Sequence, residues 1–223
     1  MHDFVARKLS NRLTLTSLIV ATVFCATFTT VTAHAQFGAP QTTQVHDASA
    51  LKPPGGARVA IVEFYDMQCP LCAQTNPQLI AATNQYKIPW VRHDFLIPGH
   101  NWSRQAAINA RFFDTKSEKM GNDYRDYIFA NQISIETPDE LHNFTQKFAQ
   151  AHGVALPFAI DPMGKFAGEV DADVALGKRI GVEHTPTIWI VTDGTHAPQY
   201  TEVVNNSKLY QTIDQALAAT RGH

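Results

Sequence analysis

The chain has 223 residues, three cysteines and a formal net charge of −2. No patch or run of basic residues is present, so nucleic acid is not expected as a partner. The length suits one domain, with room for an insertion, that can bury a core without structural disulfides.

Residues 1–35 have the pattern of an export signal. A basic start precedes an apolar run at 13–32, and Ala33-His34-Ala35 supplies the small residues after which signal peptidase cuts. The alternative is an uncleaved membrane anchor, because the run is just long enough to span a bilayer. Its eight Ser and Thr residues favour cleavage. We therefore expect a periplasmic or secreted protein.

The next segment, residues 36–57, is polar and ends in a Pro-Pro-Gly-Gly sequence, which predicts a flexible N-terminal arm. Beyond it, alternating and helical patterns follow one another. Strands are predicted at 59–65, 90–95, 187–191 and 200–204. Helices are predicted at 70–86, 103–113, 124–131, 138–151 after a capping box at Thr137, from about 168 to 180, and after a Ser207 cap. This order predicts an α/β fold.

Cys69-Pro70-Leu71-Cys72 lies where the first predicted strand ends and a helix begins. Exposed N–H groups and the helix dipole favour a thiolate at that position. Signal cleavage would remove Cys25 and leave only this pair. The same spacing supplies half of many zinc sites, but no second cysteine pair or histidine cluster accompanies it. A structural disulfide across so short a loop would add little stability. Redox chemistry without metal or organic cofactor is therefore predicted.

The chain resembles the DsbA-like thiol-disulfide oxidoreductases, which have a thioredoxin fold. The resemblance is carried by Val-Glu-Phe-Tyr-Asp-Met-Gln-Cys-Pro-Leu-Cys at 62–72, by Gly-Val-Glu-His-Thr-Pro-Thr at 181–187, and by the helical stretch between them. It implies a thioredoxin-like domain formed by residues 58–97 and 169–223, with an all-helical subdomain inserted at 98–168. It also implies that Cys69 attacks and that Cys72 resolves the mixed disulfide.

The resemblance further implies a cis proline at Pro186 that faces the cysteine pair. The residue before it, Thr185, would pair through its backbone with the substrate chain. Pro70 and Leu71, between the cysteines, would border the substrate and tune the pair. They depart from the Pro-His of the strongest oxidants of the family, so we expect an intermediate reduction potential.

Glu63 lies six residues before Cys69 and matches the buried acid that the family places under the second cysteine. Alternation along the strand would put this carboxyl under the sheet, where it could exchange protons with Cys72. The alternative is an edge carboxylate in a salt bridge. His184, close to Pro186, is interpreted as a solvent-facing loop residue, and the alternative is a histidine near Cys69 that tunes its thiolate.

These features predict an exported, monomeric thiol-disulfide oxidoreductase that acts on cysteine-containing exported proteins. A membrane redox partner would recycle it, and the direction of electron flow stays open. Two other hypotheses remain: a redox-inactive holdase that grips unfolded chains, and a metal-handling protein that uses both thiols.

Overall fold

The structure, a computed structural model, describes residues 42–195 and 197–221. The predicted export signal at 1–35 lies outside the described residues. Within the described part, no helix is both long enough and apolar enough to cross a membrane.

The described residues form four strands and six α-helices. The strands are β1 (Val59–Tyr65), β2 (Trp90–Asp94), β3 (Thr187–Thr192) and β4 (Tyr200–Glu202). The helices are α1 (Pro70–Tyr86), α2 (Ser103–Asp114), α3 (Glu118–Asn131), α4 (Pro138–Ala151), α5 (Lys165–Ile180) and α6 (Leu209–Thr220). Short 3-10 turns occupy Gln132–Ser134 and Asn206–Lys208.

The strands form one mixed sheet in the order β2-β1-β3-β4. β1 runs parallel to β2 and antiparallel to β3, which runs antiparallel to β4. Helices cover both faces of the sheet, so all seven residues of β1 are buried. Ile61 packs in one core cluster with Leu79 of α1 and Ile213 of α6, whereas Phe64 packs on the opposite face with Ile180 of α5. This is the predicted thioredoxin-like α/β fold.

Helices α2 to α4 fall inside the stretch predicted to be a helical insertion. Their core is aromatic, with Phe113, Tyr124 and Phe148 in mutual ring contact. The capping box predicted at Thr137 is present, since its side chain accepts from the Glu140 N–H and Glu140 accepts in return. α5 begins at Lys165, slightly before the predicted subdomain boundary at 168. One buried cluster joins this core to Tyr65 and Cys72 of the sheet region.

Two local features differ from the expectations. The described part of the predicted arm, residues 42–57, is packed: Leu51 is fully buried, and the His46 N–H donates to the Ile180 carbonyl at 2.7 Å. The apolar Leu51 side chain has a place in the core on the α5 side of the sheet. The last helix begins at Leu209 rather than after Ser207, because Asn205 caps a 3-10 turn ahead of it by accepting from the Ser207 N–H.

Candidate active site

The cysteine pair lies where β1 passes into α1. Cys69 is the N-cap residue of α1, with an extended backbone, and Pro70 opens the helix, where its missing N–H costs nothing. The Cys69 N–H donates to the Asp66 carbonyl at 3.0 Å, which closes the turn. Both cysteines are unpaired thiols in this structure. Cys69 is 7% exposed and Cys72, inside the first turn, is fully buried, so only Cys69 can meet an external sulfur.

The two thiols ionise very differently. The largest cause of the lowered pKa of Cys69 is the hydrogen bond from the Cys72 thiol, which outweighs burial. The side chain of Thr185 and the N–H groups of Cys72 and Leu71 act in the same direction, so the pKa of Cys69 is lowered to about 5. Burial first, then the bond to Cys69 and the charge of Glu63, raises the pKa of Cys72 well above its usual 9.0. At neutral pH Cys69 is therefore a thiolate and Cys72 a thiol.

The loop before β3 closes over Cys69. The Thr185–Pro186 peptide bond is cis, as expected. Cys69 Sγ lies 3.3 Å from the Thr185 carbonyl oxygen, to which it can donate when it is protonated. His184 is exposed, and its Nδ1 lies 3.3 Å from the Thr187 hydroxyl oxygen. The structure thus brings Thr185 and Pro186 to the cysteine pair and leaves His184 facing solvent.

Glu63 is buried on the central strand, with 1% of its surface exposed. Its Oε2 accepts from Trp90 Nε1 at 3.1 Å and lies 3.9 Å from Arg92 Nε. Burial raises the pKa of Glu63 to about 7, and the charge of Arg92 and the Trp90 bond only partly oppose it. Glu63 is therefore not on an edge strand, although the ion pair of the alternative interpretation is present, with Arg92 as the partner.

Gln132 is a residue near the site that no sequence motif indicated. It lies in the 3-10 turn after α3, and its Nε2 donates to the Met67 carbonyl at 2.8 Å and the Cys69 carbonyl at 3.0 Å. The helical region therefore holds the backbone of the turn that carries Cys69. An isolated glutamine 63 positions from Cys69 carries no local signal of this contact.

A groove of about 840 Å³ runs beside the Pro186 loop. Leu71, 59% exposed, stands at its cysteine end. The remaining lining residues are Thr42, Thr43, Gln44, His46, Gly181, Glu183, His184, Thr185, Pro186, Glu202, Val203, Val204, Asn205 and Asn206. Its size and mixed lining suit a short extended peptide.

Metal-ligating side chains do not cluster at this site. In the part of the chain that the structure describes, no group of three or more His, Cys, Asp or Glu residues is arranged to hold a metal ion. The two thiols and the buried carboxyl of Glu63 are ionisable groups of this site.

A helix-terminal dithiol that faces a cis proline, on a mixed sheet of this order, defines a thioredoxin-fold protein. A family model described as Thioredoxin matches residues 55–214, and the chain belongs to that family. The comparison with curated proteins returns no match.

Three solved structures share this fold at low sequence identity. The thiol-disulfide exchange protein α-DsbA2 from Wolbachia pipientis is 19% identical, with a TM-score of 0.56 over 74% of this chain and 84% of that one. ScsC from Proteus mirabilis is 16% identical, with a TM-score of 0.58 over 76% and 74%. DsbA2 from Pseudomonas aeruginosa is 17% identical, with a TM-score of 0.54 over 77% and 95%. The predicted DsbA-like thioredoxin fold is confirmed.

Proposed function

We propose that this DsbA-like chain is a protein thiol-disulfide oxidoreductase that exchanges its Cys69–Cys72 pair with cysteines of exported proteins. The observation that carries the proposal is the asymmetry of the pair. Cys69 keeps 7% of its surface exposed and has a lowered pKa, whereas Cys72 is fully buried and has a raised pKa. A low-pKa thiol is almost fully ionised at neutral pH and is a good leaving group, whereas a buried thiol resolves the intermediate without meeting a second protein.

In the oxidising direction, a substrate thiolate attacks Cys69 Sγ of the disulfide. The bond to Cys72 breaks, a mixed disulfide forms at Cys69, and the Cys72 thiolate takes a proton. A second substrate thiolate then attacks the substrate sulfur of the mixed disulfide and expels Cys69 as a thiolate. The substrate dithiol loses two electrons and the Cys69–Cys72 pair gains them. Reduction of a substrate disulfide is the same sequence in reverse.

Glu63 is proposed to supply and accept the proton of Cys72. Its carboxyl is buried on the sheet face that α1 covers, and its charge acts on Cys72. A general acid–base works best when its pKa is close to the working pH, and that of Glu63 is about 7. Because the pKa of Cys72 lies well above that of Glu63, proton transfer from Glu63 to the Cys72 thiolate is the favourable direction, and the reverse transfer costs free energy.

The substrate is proposed to bind as an extended peptide against Thr185 and Pro186. Pro70 and Leu71 are proposed to border the substrate from the helix side, where the exposed Leu71, which lines the groove, offers an apolar contact. The groove beyond Pro70 and Leu71 would hold the substrate residues next to the reacting cysteine of the substrate. Export to the periplasm or outside the cell, a monomeric state and recycling by a membrane redox partner complete the proposal.

The test uses a dithiol peptide and single-cysteine variants. Cys69→Ala should abolish exchange, whereas Cys72→Ala should accumulate a mixed disulfide that mass spectrometry detects. Exchange that survives in Cys69→Ala would refute the enzyme proposal. A holdase would still suppress aggregation as the double alanine variant, and a metal-handling protein would bind zinc or copper stoichiometrically when reduced.

The direction of electron flow is tested by the reduction potential of the pair. Because Pro70 and Leu71 replace the Pro-His of the strongest oxidants, we expect a value between about −120 mV, as in DsbA, and about −270 mV, as in thioredoxin. Equilibration with glutathione buffers measures it. A value at either extreme would overturn this expectation without affecting the reaction type.

A further inference from the structure

Asp126 belongs to α3 of the helical region, yet its side chain forms hydrogen bonds with Asn76 of α1 and Arg92 of β2. Its Oδ1 lies 3.1 Å from Arg92 Nη2 of β2 and accepts from Asn76 Nδ2 of α1 at 3.1 Å. Asn76 in turn accepts a hydrogen bond from Arg92 Nη2. The Arg92 side chain is only 4% exposed and that of Asp126 is 32% exposed. A largely buried guanidinium is thus held by a carboxylate that reaches solvent.

Arg92 is also the register partner of Glu63. The two residues face each other across the parallel β1–β2 pair, with Arg92 Nε 3.9 Å from Glu63 Oε2. That separation is too long for a hydrogen bond, whereas the contacts of Nη2 with Asp126 and Asn76 are hydrogen bonds. The guanidinium also stacks 3.8 Å over the Trp90 ring. Its direct bonds therefore point toward α3 and α1 and away from Glu63.

The charged and titratable groups that act on Glu63 come from three elements. Arg92 approaches from β2 with a positive charge, Asp126 from α3 with a negative charge, and the thiols Cys69 and Cys72 from α1. Trp90 is a neutral donor. Without Asp126, the positive charge of Arg92 would lack its carboxylate partner and would lie close to Glu63. A guanidinium and a carboxylate prefer a bidentate contact, so Arg92 would then approach Glu63.

We propose that Asp126 is a positioning residue for the buried acid: it holds the guanidinium of Arg92 away from Glu63 and so preserves the ability of Glu63 to exchange a proton with Cys72. The proposal deepens, and rests on, the proposed role of Glu63. It gives the helical region an electrostatic part in a reaction that takes place on the thioredoxin-like sheet.

The experiment follows the titration of Glu63 in the reduced protein, by carbon-13 NMR of side-chain-labelled glutamate. Asp126→Asn should move the midpoint of Glu63 to lower pH by about one unit, because Arg92 then acts on it at closer range and the charge of Asp126, which itself raises the pKa of Glu63, is removed. Arg92→Gln should move it in the opposite direction, and Asp126→Glu should restore it. In an Arg92→Gln background Asp126→Asn should move the midpoint less, and an equal shift in both backgrounds would mean that Asp126 acts only through its own charge, which would overturn the proposal. The pH profile of mixed-disulfide resolution by Cys72 should shift with the midpoint.

Asp123→Asn is the matched control. Asp123 lies on the same helix and pairs on the surface with Lys119 at 2.6 Å, so this variant removes the same charge without touching Arg92. A Glu63 midpoint in Asp126→Asn equal to that of the control would overturn the proposal, even if the variant were less stable. A wild-type protein without dithiol exchange would refute the proposed function instead, while the Glu63 titration would still report on Asp126.

Discussion

Cys69 Sγ lies 3.3 Å from the carbonyl oxygen of Thr185. The neutral thiol can donate to that oxygen, but a thiolate cannot, so ionisation of Cys69 frees the carbonyl. A substrate N–H could then take the place of the thiol at Thr185. The same proton loss would therefore activate the nucleophile and open the backbone position proposed for docking.

The thiolate of Cys69 should depend on Cys72. The wild-type reduced protein should show a thiolate midpoint at about pH 5, and Cys72→Ala should raise it, because the Cys72 hydrogen bond is the largest cause of the lowered pKa. Ultraviolet absorbance of the thiolate measures both midpoints, with Cys69→Ala as the blank. An equal midpoint in wild type and Cys72→Ala would contradict this origin.

The same shift makes the reduced fold pH-dependent. Because the pKa of Cys69 is lowered from 9.0 to about 5, the folded state favours the thiolate more than the unfolded state does. Its contribution to stability is full above pH 9.0, shrinks as the pH falls, and is absent below about 5. Denaturant unfolding of the reduced protein and of Cys69→Ser at several pH values should show this rise as a growing difference between the two, because the contribution of Glu63 is common to both.

Glu63 should act on stability in the opposite direction. Its pKa is raised from 4.5 to about 7, so the folded state favours the neutral acid. This contribution is present below pH 4.5 and is lost as the pH rises through about 7, a change of roughly 3 kcal/mol. Glu63→Gln still offers Trp90 an acceptor, and in urea unfolding it should lack this part of the pH dependence while keeping the part due to Cys69. The exposed Glu118→Gln serves as control, and a profile unchanged in Glu63→Gln would contradict the expectation.

Gln132 should stabilise the turn that carries Cys69. Gln132→Leu leaves the carbonyls of Met67 and Cys69 without their side-chain donor. The free energy of unfolding should fall by about 1 to 3 kcal/mol, and the rate of mixed-disulfide formation should fall with it. The neighbouring Ile133→Ala, at a side chain 94% exposed, should change stability by less than about 0.5 kcal/mol. Equal effects of the two substitutions would count against the role of Gln132.

The groove should favour substrates with a basic residue beside the cysteine. Glu183 and Glu202 line it, and no Lys or Arg occurs among the described residues that do so. A Lys-containing cysteine peptide should react about two- to fivefold faster than its Glu counterpart at low salt, the range of an exposed ion pair. Glu183→Gln should reduce the ratio and Glu118→Gln should not. A ratio that does not respond to salt would exclude the electrostatic explanation.

Much of the fold could be predicted because its signals are local. β1 and α1 have the predicted bounds, since a β-branched run before Cys69 and a proline at the first helical position mark both elements. The burial of Glu63 followed from strand alternation between apolar neighbours. The packing of the predicted arm could not be foreseen from the sequence, because the burial of Leu51 depends on a core built from distant segments.

By itself, the sequence determined the position of the dithiol, the helix that begins at it and the acid Glu63 in the strand before it. These depend on periodicity, on proline and on spacing, which act within a few residues. Only the tertiary structure decided which side chains meet Glu63 and the turn of Cys69. Arg92, Asp126 and Gln132 look like ordinary polar residues in the sequence, and they gain their roles because packing brings β2, α3 and the following turn against α1. Electrostatics in a buried site depends on distances of a few ångströms, and those distances are set by the assembled fold.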